Sequence, residues 1–273
     1  MKIDKVIFTC DDNPAYAGFW ASISKHFKNK IGLNSHLFVI CEDENRISAY
    51  SQDNGQVTFI KKLPKIPTII QALWGKFYFT STEPETTWMI GDLDLYPLQR
   101  NWFTTNIEKY SEESYLHLNG HAYGVDWHKN SSGLAGYYHV AKGKTFKEYL
   151  EMRSSFQDDC EYIFESRKYE LQNSAAPHDW AKSASSYWKY FCCEEKYSAE
   201  ILSKIKDKII TIPWPNNDMS KYRICRSNMN YDSNNISKEF YIDFHAPRPY
   251  EDYEKIINDI ILKVPNYIME NVL

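Results

Sequence analysis

Four short apolar runs, most of them closed by an acidic turn, set the limits on what this chain can fold into. Val6-Ile7-Phe8-Thr9 ends at Cys10-Asp11-Asp12-Asn13, and His36 to Cys41 ends at Glu42-Asp43-Glu44. Val57-Thr58-Phe59-Ile60 follows, and then Thr87 to Gly91, which ends at Asp92-Leu93-Asp94. Short continuous runs of this kind read as strands buried on both faces. Helices fall between them. Pro14 opens one at its first position with Asn13 or Asp12 as cap, and Tyr16, Phe19, Trp20, Ile23 and Phe27 give it one apolar face. Pro67 opens another, with Ile70, Leu73, Trp74 and Phe77 as its buried stripe. Strand, helix, strand, strand, helix, strand is the rhythm of an α/β fold, a Rossmann-like, mostly parallel central sheet flanked by helices.

The second half is expected to be loop-rich. Tyr137 to Ala141 reads as a short strand, and Thr145 with Glu148 reads as a T-x-x-E capping box opening a helix. Residues 158–189 show no clear period and read as an insertion, whereas Glu194 to Lys206 reads as a helix. An irregular stretch from Pro213 to Lys238 precedes a strand at Phe240 to His245 and a final helix carrying Tyr253, Ile256, Ile257, Ile260 and Ile261. Residues 1–273 are expected to form one domain, with 1–100 and 101–273 as its two halves.

Composition narrows the function class. A net charge of -4 argues against a protein that coats nucleic acid. Six cysteines show no C-x-x-C spacing, which disfavours zinc, and several lie in apolar runs as reduced core thiols do. The opening M-K-I-D-K-V-I-F-T runs straight into a strand, and no apolar run is long enough for a bilayer, so neither a signal peptide nor a transmembrane segment is expected, and the expected location is cytoplasmic.

The stretch I-G-D-L-D-L-Y-P-L, Ile90 to Leu98, carries the most chemistry. Asp92 and Asp94 project two hard oxygen ligands from the end of a rigid strand, a pairing suited to a divalent cation that grips phosphate. The plainer alternative is a strand-end turn whose acids face water.

This arrangement resembles the nucleotide-sugar-dependent glycosyltransferases of the GT-A fold, in their soluble bacterial or viral form. The resemblance rests on G-D-L-D-L-Y-P-L about a third of the way along, on a small-residue segment around Gly136, and on an acidic pair opening a helix in C-C-E-E-K-Y. It rests also on the tail D-F-H-A-P-R-P-Y, Asp243 to Tyr250, which lacks the family's Gly and Trp there. It implies a GT-A-like sheet with a nucleotide-binding half over 1–100 and an acceptor-side half over 101–273. It implies transfer of a sugar, hexosyl or pentosyl, from a nucleotide diphosphate donor to a glycan hydroxyl, with a UDP-sugar expected and GDP as the alternative. Asp92, Asp94 and His245 would hold Mn2+, or Mg2+, the imidazole favouring manganese.

Thr9, Asp11 and Tyr16 would line the nucleotide pocket. Tyr16 would stack on the base or else serve as the first core residue of its helix. Lys76, Asp92, Gly136 and Arg248 would contact the donor, with a surface lysine as the alternative for Lys76. His139 would face the sugar or the core. The acids that assist catalysis would be Glu194 and Glu195, with Asp179 in reserve. Two acids at a helix start also complement its dipole. Two rivals differ in class. A phosphatase of the haloacid dehalogenase type would use the first Asp as nucleophile, but its motif sits near the N-terminus and has Thr or Val where Tyr96 stands. A non-catalytic sugar-binding protein would keep the fold without turnover.

Overall fold

The computed structural model describes residues 1–120, 133–173 and 193–267. Ten strands occur among them: β1 (Lys5–Asp11), β2 (Asn34–Cys41), β3 (Gly55–Lys61), β4 (Thr87–Ile90), β5 (Leu95–Pro97), β6 (Tyr115–His117), β7 (His139–Lys142), β8 (Ile209–Thr211), β9 (Arg223–Cys225) and β10 (Asp243–His245). Seven form a mixed, mostly parallel sheet in the order β3-β2-β1-β4-β7-β6-β8, in which only β7 runs antiparallel to its neighbours β4 and β6. The other three form a small sheet, β5-β10-β9.

Both faces of the large sheet are covered, as the continuous apolar runs require. Side chains alternate along a strand, so Val6, Phe8, Leu37 and Val39 join one core with Phe19, Trp20, Ile23 and Phe27. Ile7, Phe38, Trp88 and Ile90 join the other with Ile70, Trp74 and Phe77. The helix Phe19–His26 therefore covers one face and the helix Thr68–Tyr78 covers the opposite one. Asn13 is the cap before Pro14, its side chain accepting from the Ala15 N–H. No helix among the described residues is long and apolar enough to cross a membrane.

The second half departs from its sequence reading in four places. Part of the stretch read as an irregular insertion is the helix Phe156–Asn173. Its polar composition hid it, because its fully buried hydrophobic side chains among the described ones are Cys160 and Ile163, in the same core as Trp74. Asp159 fastens its first turn by accepting the Trp74 indole N–H at 3.1 Å and the Arg153 N–H at 2.9 Å. The stretch read as irregular after Pro213 contains β9 and two short helices, Met219–Tyr222 and Ser233–Ser237. The strand expected over Phe240 to His245 is ordered as a strand only at Asp243–His245.

The fourth departure is the capping box. The helix starts at Gly143, ahead of Thr145, and no side chain caps it. The Gly143 and Lys144 N–H groups instead donate to the carbonyls of Thr86 and Pro84, at 3.0 and 2.9 Å. Orphan donors at a helix start need a partner, not a particular kind of partner. A Cβ on Gly143 would lie 2.2 Å from the Thr80 carbonyl oxygen and 2.5 Å from that of Glu83. Gly143→Ala is therefore expected to cost about 1–3 kcal/mol through overpacking against backbone. Urea unfolding would read it, and an unchanged midpoint would mean that this helix start can shift.

Candidate active site

The order of the large sheet reverses at β1. The chain first builds outward through β2 and β3, then returns to place β4 on the other side of β1. The carboxyl ends of two strands that flank such a reversal leave a crevice between their following loops. Asp11 ends β1, and the Asp92–Asp94 segment follows β4, so both lie at that crevice.

Five residues from four parts of the chain meet there. Lys76, from the last turn of the helix Thr68–Tyr78, donates to Asp92 Oδ1 at 2.7 Å and lies 3.7 Å from Glu194 Oε1. Lys76 is no surface lysine; it is buried. Glu195 accepts the Gly136 N–H at 3.0 Å through Oε1, and its carbonyl accepts the Leu134 N–H at 3.1 Å. Gly136 permits the approach, since a Cβ there would sit 3.0 Å from Glu194 Oε1 and 3.2 Å from Lys76 Nζ. Both glutamates are buried at the start of the helix Cys193–Ser203.

Burial dominates the electrostatics. It pushes the Glu194 carboxyl up to about 8, against the pull of Lys76 and with the help of Glu195 and Asp92. Burial also opposes the charge on Lys76, but Asp92 and then Glu194 outweigh it and hold the ammonium above its ordinary range. Glu194 Oε2 is buried with no hydrogen-bond partner among the described residues. A neutral-to-anionic carboxyl next to a fixed cation is equipped to exchange a proton.

A second group lies on the small sheet. β5 follows the D-x-D directly and pairs antiparallel with β10, placing Leu95 opposite His245. The Ala246 N–H then donates to the Asp94 carbonyl at 2.8 Å. This register brings His245 Nε2 to 3.4 Å from Asp94 Oδ2. Arg226 Nη1 lies at 2.9 Å from the same oxygen and Arg248 Nε at 3.3 Å. Burial opposes the Asp94 charge, yet His245 and Arg226 hold its carboxyl below the usual range.

The trio implied for a metal is only partly gathered. Asp94 and His245 are neighbours, but Asp92 is turned to Lys76, and among the described residues no three His, Cys, Asp or Glu side chains come together as a metal site. As arranged, these residues do not fit a metal cage.

The remaining candidates divide. The Arg248 guanidinium lies 4.9 Å from the half-buried Tyr16 ring. The Tyr16 ring also packs against the core, as the second of its two readings expects. Asp11 accepts from the Thr68 hydroxyl at 3.0 Å and from the Asn13 N–H at 3.2 Å. Thr9 donates to the Ala72 carbonyl and so ties β1 to the neighbouring helix. His139 faces the core, fully buried between the Tyr115 hydroxyl at 2.9 Å and the Ala135 carbonyl at 2.7 Å. Asp179 lies outside the described residues. Arg226 escaped the sequence reading because the three-residue strand that precedes it sits in a stretch without periodicity. The one available signal was a second basic residue in R-I-C-R.

No family model matches the chain, and no curated protein matches it. Among solved structures it is similar to the glycosyltransferase GlyE of Streptococcus pneumoniae TIGR4, at 13% identity over 96% of this chain and 52% of that one, with a TM-score of 0.44. The apo form of GlyE matches at 13% identity over 97% and 52%, with a TM-score of 0.42. The chain thus spans about half the length of those proteins.

Proposed function

We propose that this chain is a nucleotide-sugar-dependent glycosyltransferase of GT-A type, moving a sugar from a UDP-sugar to a glycan hydroxyl in the cytoplasm. The observation that carries this reading is the convergence of Lys76, Asp92, Gly136, Glu194 and Glu195 at the carboxyl end of β4, beside Asp94, His245 and Arg248. All of these positions were singled out by the resemblance.

The chemistry asks for three things, and the site has a group for each. The acceptor oxygen forms a bond to the anomeric carbon, and its proton passes to the ionised Glu194 carboxylate. The bond from that carbon to the diphosphate oxygen breaks, and its electron pair stays on the leaving group. Lys76 and the arginines stand where that negative charge appears. Glu195 and Asp92 face the sugar, whose ring gains positive character as the bond opens. With Glu194 as base the displacement inverts the anomeric centre.

Incubation with UDP-sugars and GDP-sugars, in Mn2+, in Mg2+ and in chelator, tests the reading and the manganese expectation together. Release of nucleoside diphosphate and free sugar, or transfer to an added glycan, is the expected result. Asp94→Asn, which weakens the hold on both arginines, is expected to slow turnover about 10²- to 10³-fold. Cleavage of simple phosphomonoesters would point to a phosphatase instead. No turnover of any donor would leave a sugar-binding protein.

A further inference from the structure

The two aspartates of I-G-D-L-D call for a counter-charge, and the fold supplies it from the protein. Asp92 has Lys76, whereas Asp94 Oδ2 faces two guanidinium groups, with Arg226 at 2.9 Å and Arg248 at 3.3 Å. One carboxylate against two arginines leaves a positive charge over. Both guanidinium groups also keep open surface, the Arg226 and Arg248 side chains being 26% and 18% exposed. Arg226 gives Asp94 a single N–H at Nη1, and a guanidinium carries five donors in a fork that matches phosphate. Tyr16 lies against Arg248, presenting an aromatic ring 4.9 Å from the cation. An aromatic face followed by two arginines has the polarity of a nucleoside followed by its phosphates.

We infer that Arg226 and Arg248 form a clamp for the diphosphate of the donor and do the work that a divalent cation would otherwise do. The inference rests on the glycosyltransferase reading and deepens it by assigning its phosphate subsite. Asp94 is a positioning residue here, holding the two guanidinium groups side by side. The same pair that binds the diphosphate of the donor neutralises the charge left on it when the sugar departs, so binding and turnover persist without metal. His245 packs beside Asp94 as a third, weaker donor.

Calorimetric titration of the full chain with UDP, GDP and their parent nucleosides, in chelator and in Mn2+, tests this. A nucleoside diphosphate is expected to bind in chelator with an affinity that Mn2+ leaves unchanged. Arg226→Gln is expected to weaken that binding about 10- to 100-fold, the worth of a lost charge-assisted hydrogen bond, while the nucleoside binds as before. Arg226→Lys, which keeps the charge and loses the fork, should fall between. Equal weakening of nucleoside and diphosphate would mean that Arg226 only supports the fold, and would overturn the clamp. Binding that requires Mn2+ would overturn the clamp and leave the glycosyltransferase reading standing. No binding of any nucleoside diphosphate in either condition would overturn both.

Discussion

Glu194→Gln is expected to lower turnover about 10²- to 10⁴-fold, the range for a lost general base, with little change in donor binding. In the wild type the rate should climb as pH rises toward about 8, where the buried Glu194 carboxyl ionises; in the variant that climb should vanish. The Glu194 carboxyl also gives the wild type a stability dependence of opposite slope. The folded carboxyl keeps its proton up to about 8, whereas a free one loses it near 4.5. Between those values the folded state binds more protons than the unfolded state, so stability falls as pH rises through the window. The fall is on the order of a few kcal/mol, and glutamine, which cannot ionise, should flatten it. Thermal melts from pH 4.5 to about 8 with both proteins would read this. A variant as active as the wild type would remove Glu194 from the chemistry, whatever the melts show.

Asp243→Ala is expected to cost about 3–5 kcal/mol, the penalty for leaving one partner of a buried ion pair uncompensated. Asp243 is fully buried and meets Arg223 through two parallel hydrogen bonds, Nε to Oδ1 at 2.7 Å and Nη2 to Oδ2 at 2.5 Å. The Arg223 guanidinium also donates to the Tyr137 hydroxyl at 3.0 Å and lies 5.2 Å from the Trp214 ring. Burial opposes the charge on Arg223, but Asp243 outweighs it and holds the guanidinium protonated. Because Asp243 and Arg223 are register partners on β10 and β9, losing the pair loosens the strand that ends at His245 and the one that leads to Arg226. Activity should therefore fall along with the urea midpoint. Replacing both residues by apolar ones of similar volume should restore much of the stability. A single variant as stable as the wild type would show that β9 and β10 are held by their backbone pairing alone.

The first hundred residues were legible because their signals are local and redundant. β1, β2 and β4 are continuous, largely buried apolar runs, β3 is a half-buried edge strand, and Pro14 and Pro67 mark where helices begin, so β1 to β4 fall where the sequence puts them. The gathering of Glu194 near Lys76 was not legible from spacing. It depends on Gly136 letting two distant segments approach, and only the resemblance pointed to these positions together. The polar helix Phe156–Asn173 was missed because its sequence is rich in charged and polar residues, so its hydrophobic period is faint. β6, β8 and β9 are three-residue strands held by their neighbours rather than by their own propensity. Arg226 went unnoticed for the same reason, since the element that aims it leaves almost no trace in sequence.

The hydrogen bond from Ala246 to the Asp94 carbonyl closes a loop of about half the chain. Contacts this distant in sequence form late, after most of the conformational entropy between them has been given up. The strands β1 to β4 can therefore pair well before the Asp94–His245 end of the crevice exists. A nascent chain stopped short of β10 would hold the first strands of its sheet but lack the register that sets His245 beside Asp94.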